Sequence, residues 1–428
     1  MPSPLATFWM VATYWFAQFL PRLALPVIVP MIAQDMRATS QQRAALLSGF
    51  FRGYLLTMVV GGVAAQKWGG KRVLTIDLLG FGLSFLALPW AVTRGPRAVS
   101  LTLASMGVFF GPLLSATSVV KNNWLPADGA EKAVAQMIMG VGTKAARITA
   151  VAATPLLCTP AAGGWRTCVR IYGAMTLAVV AGWQLIVRER PPRSEEQEQE
   201  QEKKSASTAE EPKKAKTFEL RIFRVRSVQA LIAMHVAYNN SDYTILQWAP
   251  TYFTEVLGVP AAGVGKYLLI PTVVNMVGTF LFGSLEALLL KQKILTVLGM
   301  RRWSCVGGTV LSAGGMILFS LCRSPLPAAL AYTTISLGQG FHHSGFIVNY
   351  LEAGGKDTGL LTGVGNTLAN LPGVVSPLFA ELVVRRYGSW RPFFFTSAIF
   401  EVLCCWFFAS SVAMRSAREQ LEDAEAAL

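Results

Sequence analysis

The chain has 428 residues, 53% of them hydrophobic and 14% charged, with a formal net charge of +14. A soluble domain carries nearer 25% charged residues, so this composition argues against a soluble enzyme or nucleic-acid-binding module. The positive excess fits a membrane-spanning chain, whose cytoplasmic loops collect Lys and Arg for topological reasons, and no nucleic-acid partner is expected.

A hydrocarbon core of roughly 30 Å needs about 20 apolar residues in helical form. Backbone groups that find no water in lipid must bond within their own segment, which makes such segments helices. Twelve of them follow one another. The first spans 8–33, with Arg22 its single charge as far as Met31. Residues 1–7 carry no positive charge and the apolar run is longer than a signal-peptide core, so this is a permanent helix. The second, 44–65, carries Arg52; the third and fourth span 72–93 and 98–121; the fifth, 133–157, carries Lys144 and Arg147; the sixth spans 166–187. The polar, low-complexity run 188–226 follows, unable to bury a core and read as a flexible linker. Beyond it lie 228–254 with His235, Asp242 and Tyr243, then 262–290, 302–322, 326–350 with His342, His343 and Asn349, 358–384 with Asn366 and Asn370, and 390–413.

The pattern is an all-α polytopic membrane protein of two six-helix halves, 1–187 and 227–428, the second ending in a short tail. The Lys and Arg of the linker put it in the cytoplasm, and an even number of spans puts both termini there too. Lys67, Lys71, Arg72, Lys291, Lys293, Arg301 and Arg302 fall on the same side, whereas Arg385, Arg386 and Arg391 fall opposite. The six cysteines have neither metal-ligand nor disulfide spacing. No metal site, nucleophile–base set or cofactor loop is visible: the glycines of GVGTKAAR lie within a helix with no strand before them. The expectation is no enzyme and no cofactor beyond a coupling ion.

The halves read as weak repeats. GGVAAQKWGGKRVL (61–74) after the second helix matches in position GSLEALLLKQKILTVLGMRR (283–302) after the eighth. Pro155 and Pro160 near the end of the fifth helix answer Pro372 and Pro377 in the eleventh. Such interruptions point to a central transporter cavity. The stretches 19–31 and 46–74, with NNSDYTILQWAPTYFTEVLGV (239–259), GFIVNYLEAGGKDTGLLTGVGNTLANLPGVVSP (345–377) and GWRTCVRIYGAM (164–175), resemble the anion:cation symporters of the major facilitator transporters. That resemblance implies the twelve-helix major facilitator fold and secondary transport of inorganic phosphate or small organic anions, coupled to H+ or Na+. Two departures stand out: Arg52 replaces an aromatic, and Gly129-Ala130 replace an acid–arginine pair after the fourth helix.

A charge at the bilayer centre costs between about 3 and 10 kcal/mol or more, which makes a mid-helix ionisable residue a functional candidate. Arg22 is the foremost. It matches the family's basic residue, which the resemblance implies contacts the anion, and a guanidinium can grip a carboxylate or phosphate with two parallel hydrogen bonds. Arg52 either joins it or snorkels to the interface. Lys144 and Arg147, three apart, share one face and either line the cavity or sit at the cytoplasmic interface. Asp242 either carries a proton or pairs with an arginine. Glu352 reads as a gate or loop contact and Glu286 as a brace between helices. His342 and His343 either face the cavity in a coupling role or pack in the core. Tyr243, Asn349 and Asn366 complete the candidate anion site, Asn366 through the family's Asn-Thr pair. The leading expectation is a monomeric transporter of a small anion working by alternating access in the lipid bilayer. The alternative is a receptor that keeps the fold without transport.

Overall fold

The computed structural model describes residues 4–124, 130–188, 220–342 and 345–426. Within them it forms sixteen α-helices. In the N-terminal half these are α1 (Pro4–Asp35), α2 (Ser40–Trp68), α3 (Gly70–Thr93), α4 (Pro96–Phe110), α5 (Leu113–Trp124), α6 (Ala130–Leu157) and α7 (Gly164–Ile186). The C-terminal half holds α8 (Arg226–Thr251), α9 (Val264–Lys291), α10 (Val297–Leu321), α11 (Pro325–Phe341), α12 (Phe346–Gly354), α13 (Thr358–Ala369), α14 (Pro372–Tyr387), α15 (Arg391–Ser411) and α16 (Ala417–Ala426).

Three spans expected as single helices are each two. The fourth bends between α4 and α5 at Gly111-Pro112, where the proline lacks an N–H and its ring crowds the preceding turn. The tenth is divided into α11, ending at Phe341, and α12, starting at Phe346, and the eleventh breaks between α13 and α14, at Asn370-Leu371 before Pro372. Each pair taken as one span, α1 to α15 make the twelve expected crossings. Among the described residues, eight stretches are long and apolar enough to cross a membrane by length and composition. The second, fifth, seventh and tenth spans fall short, and these carry Arg52, Lys144 and Arg147, Asp242, and His342.

Within each half the helices pack closely: α1 on α6 and α7, α2 on α4, α10 on α11 and α15, α8 on α15. No hydrophobic force drives helices together in lipid, so small residues that admit close backbone approach do that work. A Cβ on Gly142 of α6 would stand 2.0 Å from the Ala12 carbonyl oxygen of α1, and one on Gly107 of α4 would stand 1.9 Å from that of Phe50. The motif 164–175 has a local reason: Trp165 Nε1 and Arg166 Nη1 both donate to Asp35 Oδ2 at 2.8 Å, tying the start of α7 to the end of α1.

By connectivity, the ends of α7 and α8 that border 188–226 lie on one side of the bundle, the linker side, and the loops at 36–39 and 257–263 on the other, the far side. The two halves meet mainly toward the far side, α2 against α14 and α6 against α9. Gly373 packs on the Phe51 ring, and Gly265 on Val151 and Pro155. Arg43 and Glu255 form an ion pair across the halves there.

One element was not expected. Ser416 and Glu419 cap each other, with Ser416 N–H donating to Glu419 Oε2 at 2.8 Å and Glu419 N–H reaching Ser416 Oγ at 3.4 Å. This is an S-x-x-E capping box, and it starts α16. Arg418 of α16 pairs with Asp357, and Gln420 accepts from Ser227 at 2.9 Å, so the tail folds back on the C-terminal half. The Ser416 amide holds the Glu419 carboxyl below the ordinary glutamate range.

Candidate functional site

Arg22 lies near the middle of α1, one turn beyond Gln18, and its side chain enters a box of aromatic rings. The guanidinium carbon is 5.1 Å from the Phe50 ring centre, 5.3 Å from Phe51, 5.4 Å from Phe110 and 6.0 Å from Tyr243. The rings come from α2, α4 and α8, so both halves contribute. Cation–π contacts of this kind contribute about 0.5–2 kcal/mol each, too little to replace the hydration of a guanidinium. Among the described residues no acid lies within ion-pair distance of Arg22, and its Nε is buried without a hydrogen-bond partner.

Arg22 borders a cavity of about 240 Å³ between the halves, also lined by Tyr54, Arg147, His235, Asp242, Tyr243 and Asn366. Arg147 of α6 is held there by Asp242 of α8, Nη2 to Oδ1 3.2 Å, so the cavity's second cation is neutralised in place. Lys144, half-buried one turn back on α6, lies within electrostatic reach of both. The Tyr243 hydroxyl donates to Asn370 Oδ1, and Asn370 Nδ2 donates to the Asn366 carbonyl at 2.7 Å. Asn239 Nδ2 donates to the Ala369 carbonyl at 2.8 Å. The break between α13 and α14 thus offers carbonyls that α8 uses to hold the cavity wall. On the far side Leu23, Pro26 and Val27 of α1, with Leu246 and Pro250 of α8, stand between this cavity and a vestibule of about 760 Å³.

The structure therefore brings Arg22, Arg147, Asp242, Tyr243 and Asn366 together, with Lys144 close behind. Other expected residues lie elsewhere. Arg52 is exposed and turns back along α2, Nη2 donating to the Ala45 carbonyl and to Ser48 Oγ, both at 2.7 Å. This is snorkelling along the helix, since a side chain leans toward the helix N-terminus. Asn349 is also outside the cavity: its Nδ2 donates to Glu352 Oε2 at 2.8 Å and to the Ala413 carbonyl at 3.2 Å. Glu352 belongs to the same linker-side cluster, accepting from Arg301 Nη2 at 2.9 Å, while Arg301 Nη1 donates to Glu286 Oε1 at 2.6 Å. His342 is buried against Glu401, away from the cavity. His343 lies outside the described residues. His235, which bonds the Tyr350 hydroxyl at 3.0 Å, does line the cavity.

Arg301 is 5% exposed and grips two carboxylates that its removal would strand. Arg301→Ala is expected to cost about 3–5 kcal/mol, as breaking a buried ion pair does. Thermal unfolding in detergent measures it, and an unchanged midpoint would contradict the bracing role.

A family model described as Major Facilitator Superfamily matches residues 8–377. The chain belongs to the major facilitator superfamily. A relative from Oryza sativa subsp. japonica named "Probable anion transporter 4, chloroplastic" is 24% identical over 401 residues, 92% of this chain and 67% of that protein. Human sialin is 26% identical over 369 residues, 85% of this chain and 74% of sialin. Both bear out the resemblance to the anion:cation symporters. The crystal structure of a bacterial homolog to the human lysosomal transporter Spinster superimposes with a TM-score of 0.75 at 14% identity, covering 95% of this chain and 96% of that one, and shares its fold. With these relatives and this fold, the chain is a multi-pass membrane transporter rather than an enzyme.

Proposed function

We propose that this major facilitator transporter carries a small anion, inorganic phosphate or an organic acid, across a membrane by alternating access, and that Arg22 is its anchor. The observation that carries the reading is an uncompensated guanidinium, wrapped in aromatic rings at mid-membrane depth, in a cavity whose other central cation already has its acid. Such a site lacks one negative charge, and a carboxylate or phosphate supplies it with two parallel hydrogen bonds. Asn366 stands where its amide N–H groups can orient the remaining oxygens, while Tyr243, whose hydroxyl proton goes to Asn370, sets its ring against the guanidinium. The rice relative's name, an anion transporter, supports the substrate class.

Alternating access follows from the same cavity being walled by both halves: rocking one half against the other exposes Arg22 first to one side and then to the other. On the far side, parting the halves breaks the Arg43–Glu255 pair and opens the partition of Leu23, Pro26 and Leu246. H+ or Na+ is the coupling ion we assign, and the linker side is the cytoplasmic side by its Lys and Arg content.

The test is counterflow in proteoliposomes loaded with unlabelled and bathed in labelled phosphate, ascorbate, glutamate, sialate or a dicarboxylate. At least one of them should exchange, whereas a receptor would bind without exchange. Deleting 194–208 should leave that exchange unchanged, because a polar run of this composition has nothing to pack and is longer than the join requires. Lost flux with folded protein intact would show that the segment does more than connect.

A further inference from the structure

A second polar group lies inside the C-terminal half, and nothing in the anion site uses it. His342 follows α11, Glu401 is on α15, Ser312 on α10 and Ser241 on α8, and all four have 0% of their surface exposed. His342 Nε2 stands 3.3 Å from Glu401 Oε1, Ser312 Oγ donates to Glu401 Oε2 at 3.0 Å, and Ser241 Oγ is 2.9 Å from Ser312 Oγ. His342 Nδ1 is buried with no partner among the described residues.

A carboxylate taken wholly out of water must be paired or neutralised. Among the described residues no Lys or Arg lies within ion-pair distance of Glu401. A proton is therefore the charge that balances it, held either on the carboxyl or on the imidazole. The other groups around the pair do not take over that task. From α8, Tyr238 sets its ring edge-on to His342, 5.5 Å between centres, and Asp242 is engaged by Arg147. On α15, Cys404 and Cys405 are buried neighbours, and α10 adds Cys305. The helix α9 presents Phe282 and Asn275 to α11, its Glu286 being turned to Arg301, and α14 presents Phe379 to Phe393 of α15.

The hydrogen-bond chain also has a direction. It ends at Ser241, the residue before Asp242, on the helix that walls the anion cavity, and Tyr238 lies within electrostatic reach of both Asp242 and Glu401. We propose that the His342–Glu401 pair is a proton-binding site of the C-terminal half, distinct from the anion cavity and exchanging protons with it through Ser312 and Ser241. Ser241 is closed to the cavity in this conformation, so loading belongs to a state of the cycle that wets it: one proton passes from water to Ser241, whose own proton passes to Ser312, whose proton in turn passes to the Glu401 carboxylate. The carboxylic acid then donates to neutral His342 Nε2. Unloading is the reverse, and no other bond changes. With the pair loaded, α10, α11 and α15 pack around a neutral group, so movement of this half differs in cost between the two protonation states.

This inference rests on the anion-transport reading, and two assays on one proteoliposome preparation separate them. The labelled phosphate, ascorbate, glutamate and sialate used above serve as probes, first in counterflow without a pH gradient and then in uptake driven by an inward proton gradient. Wild-type protein should show both, the gradient raising uptake several-fold. Glu401→Gln and His342→Gln should keep counterflow and lose that acceleration. Ser312→Ala, which leaves the pair in place and cuts the relay, should slow gradient-driven uptake while sparing counterflow, and it keeps the test standing if the other variants fail to fold. Gradient acceleration undiminished in any folded member of the three overturns the proposal, as does wild-type counterflow with no response to the gradient. Absence of wild-type counterflow for every probe overturns the transport reading instead.

Discussion

Arg22→Ala is expected to abolish anion uptake in protein that inserts and folds normally. Hydrogen bonds to charged groups contribute about 1.5–3 kcal/mol each, and two lost together exceed 3 kcal/mol. At about 1.4 kcal/mol per tenfold, the affinity falls at least 100-fold. Arg22→Lys keeps the charge and loses the fork, so about tenfold of affinity should go while transport persists at saturating anion. Stability should move the other way. Without anion, Arg22 is a half-buried cation facing four rings and, among the described residues, no acid, and alanine relieves its partial desolvation, so the alanine variant should unfold no earlier than wild type. A cation that only held the fold together would behave oppositely, lowering the melting midpoint when removed.

The second large effect is expected at Asp242. Replacement by Asn leaves Arg147 facing the cavity without its acid, a change that costs about 3–5 kcal/mol when fully buried. Arg147 and Asp242 side chains keep 20% and 18% exposure to the cavity, so the lower end of that range applies. The variant should express poorly or lock in one conformation, losing counterflow together with net uptake. Arg147→Gln in the same chain should restore expression, since the two substitutions share one interaction and their costs should not add. If Asp242 instead carries the coupling proton, Asp242→Asn keeps counterflow and only flattens the dependence of uptake on the proton gradient. The 3.2 Å contact with Arg147 favours the first outcome.

Sequence patterning reaches depth along a helix far better than direction around it. Arg22 and Arg52 look alike in the chain, each the single cation of an apolar run, yet one enters the cavity and the other turns back on its own helix. Nothing periodic distinguishes them, because the deciding partners lie on other helices: Phe50, Phe51, Phe110 and Tyr243 are remote from Arg22 in sequence and meet only when α1, α2, α4 and α8 pack. The tenth span divides for a similar reason. Of the two alternatives open to His342 the structure shows the packed one, against Glu401, whereas Asn349, expected in the cavity, meets Glu352 instead. The twelve spans were legible since each must satisfy its backbone alone in lipid. The bend at Gly111-Pro112 and the capping box at Ser416 and Glu419 were written locally, in a proline and in an S-x-x-E spacing, and could have been read.

The most direct test of the anion anchor is counterflow of labelled anion by wild-type and Arg22→Ala protein, reconstituted at equal density from folded, monodisperse samples. Wild type should exchange at least one of phosphate, ascorbate, glutamate, sialate or a dicarboxylate, and Arg22→Ala should exchange none of them above the protein-free background. Exchange by the alanine variant at the wild-type rate would contradict the account.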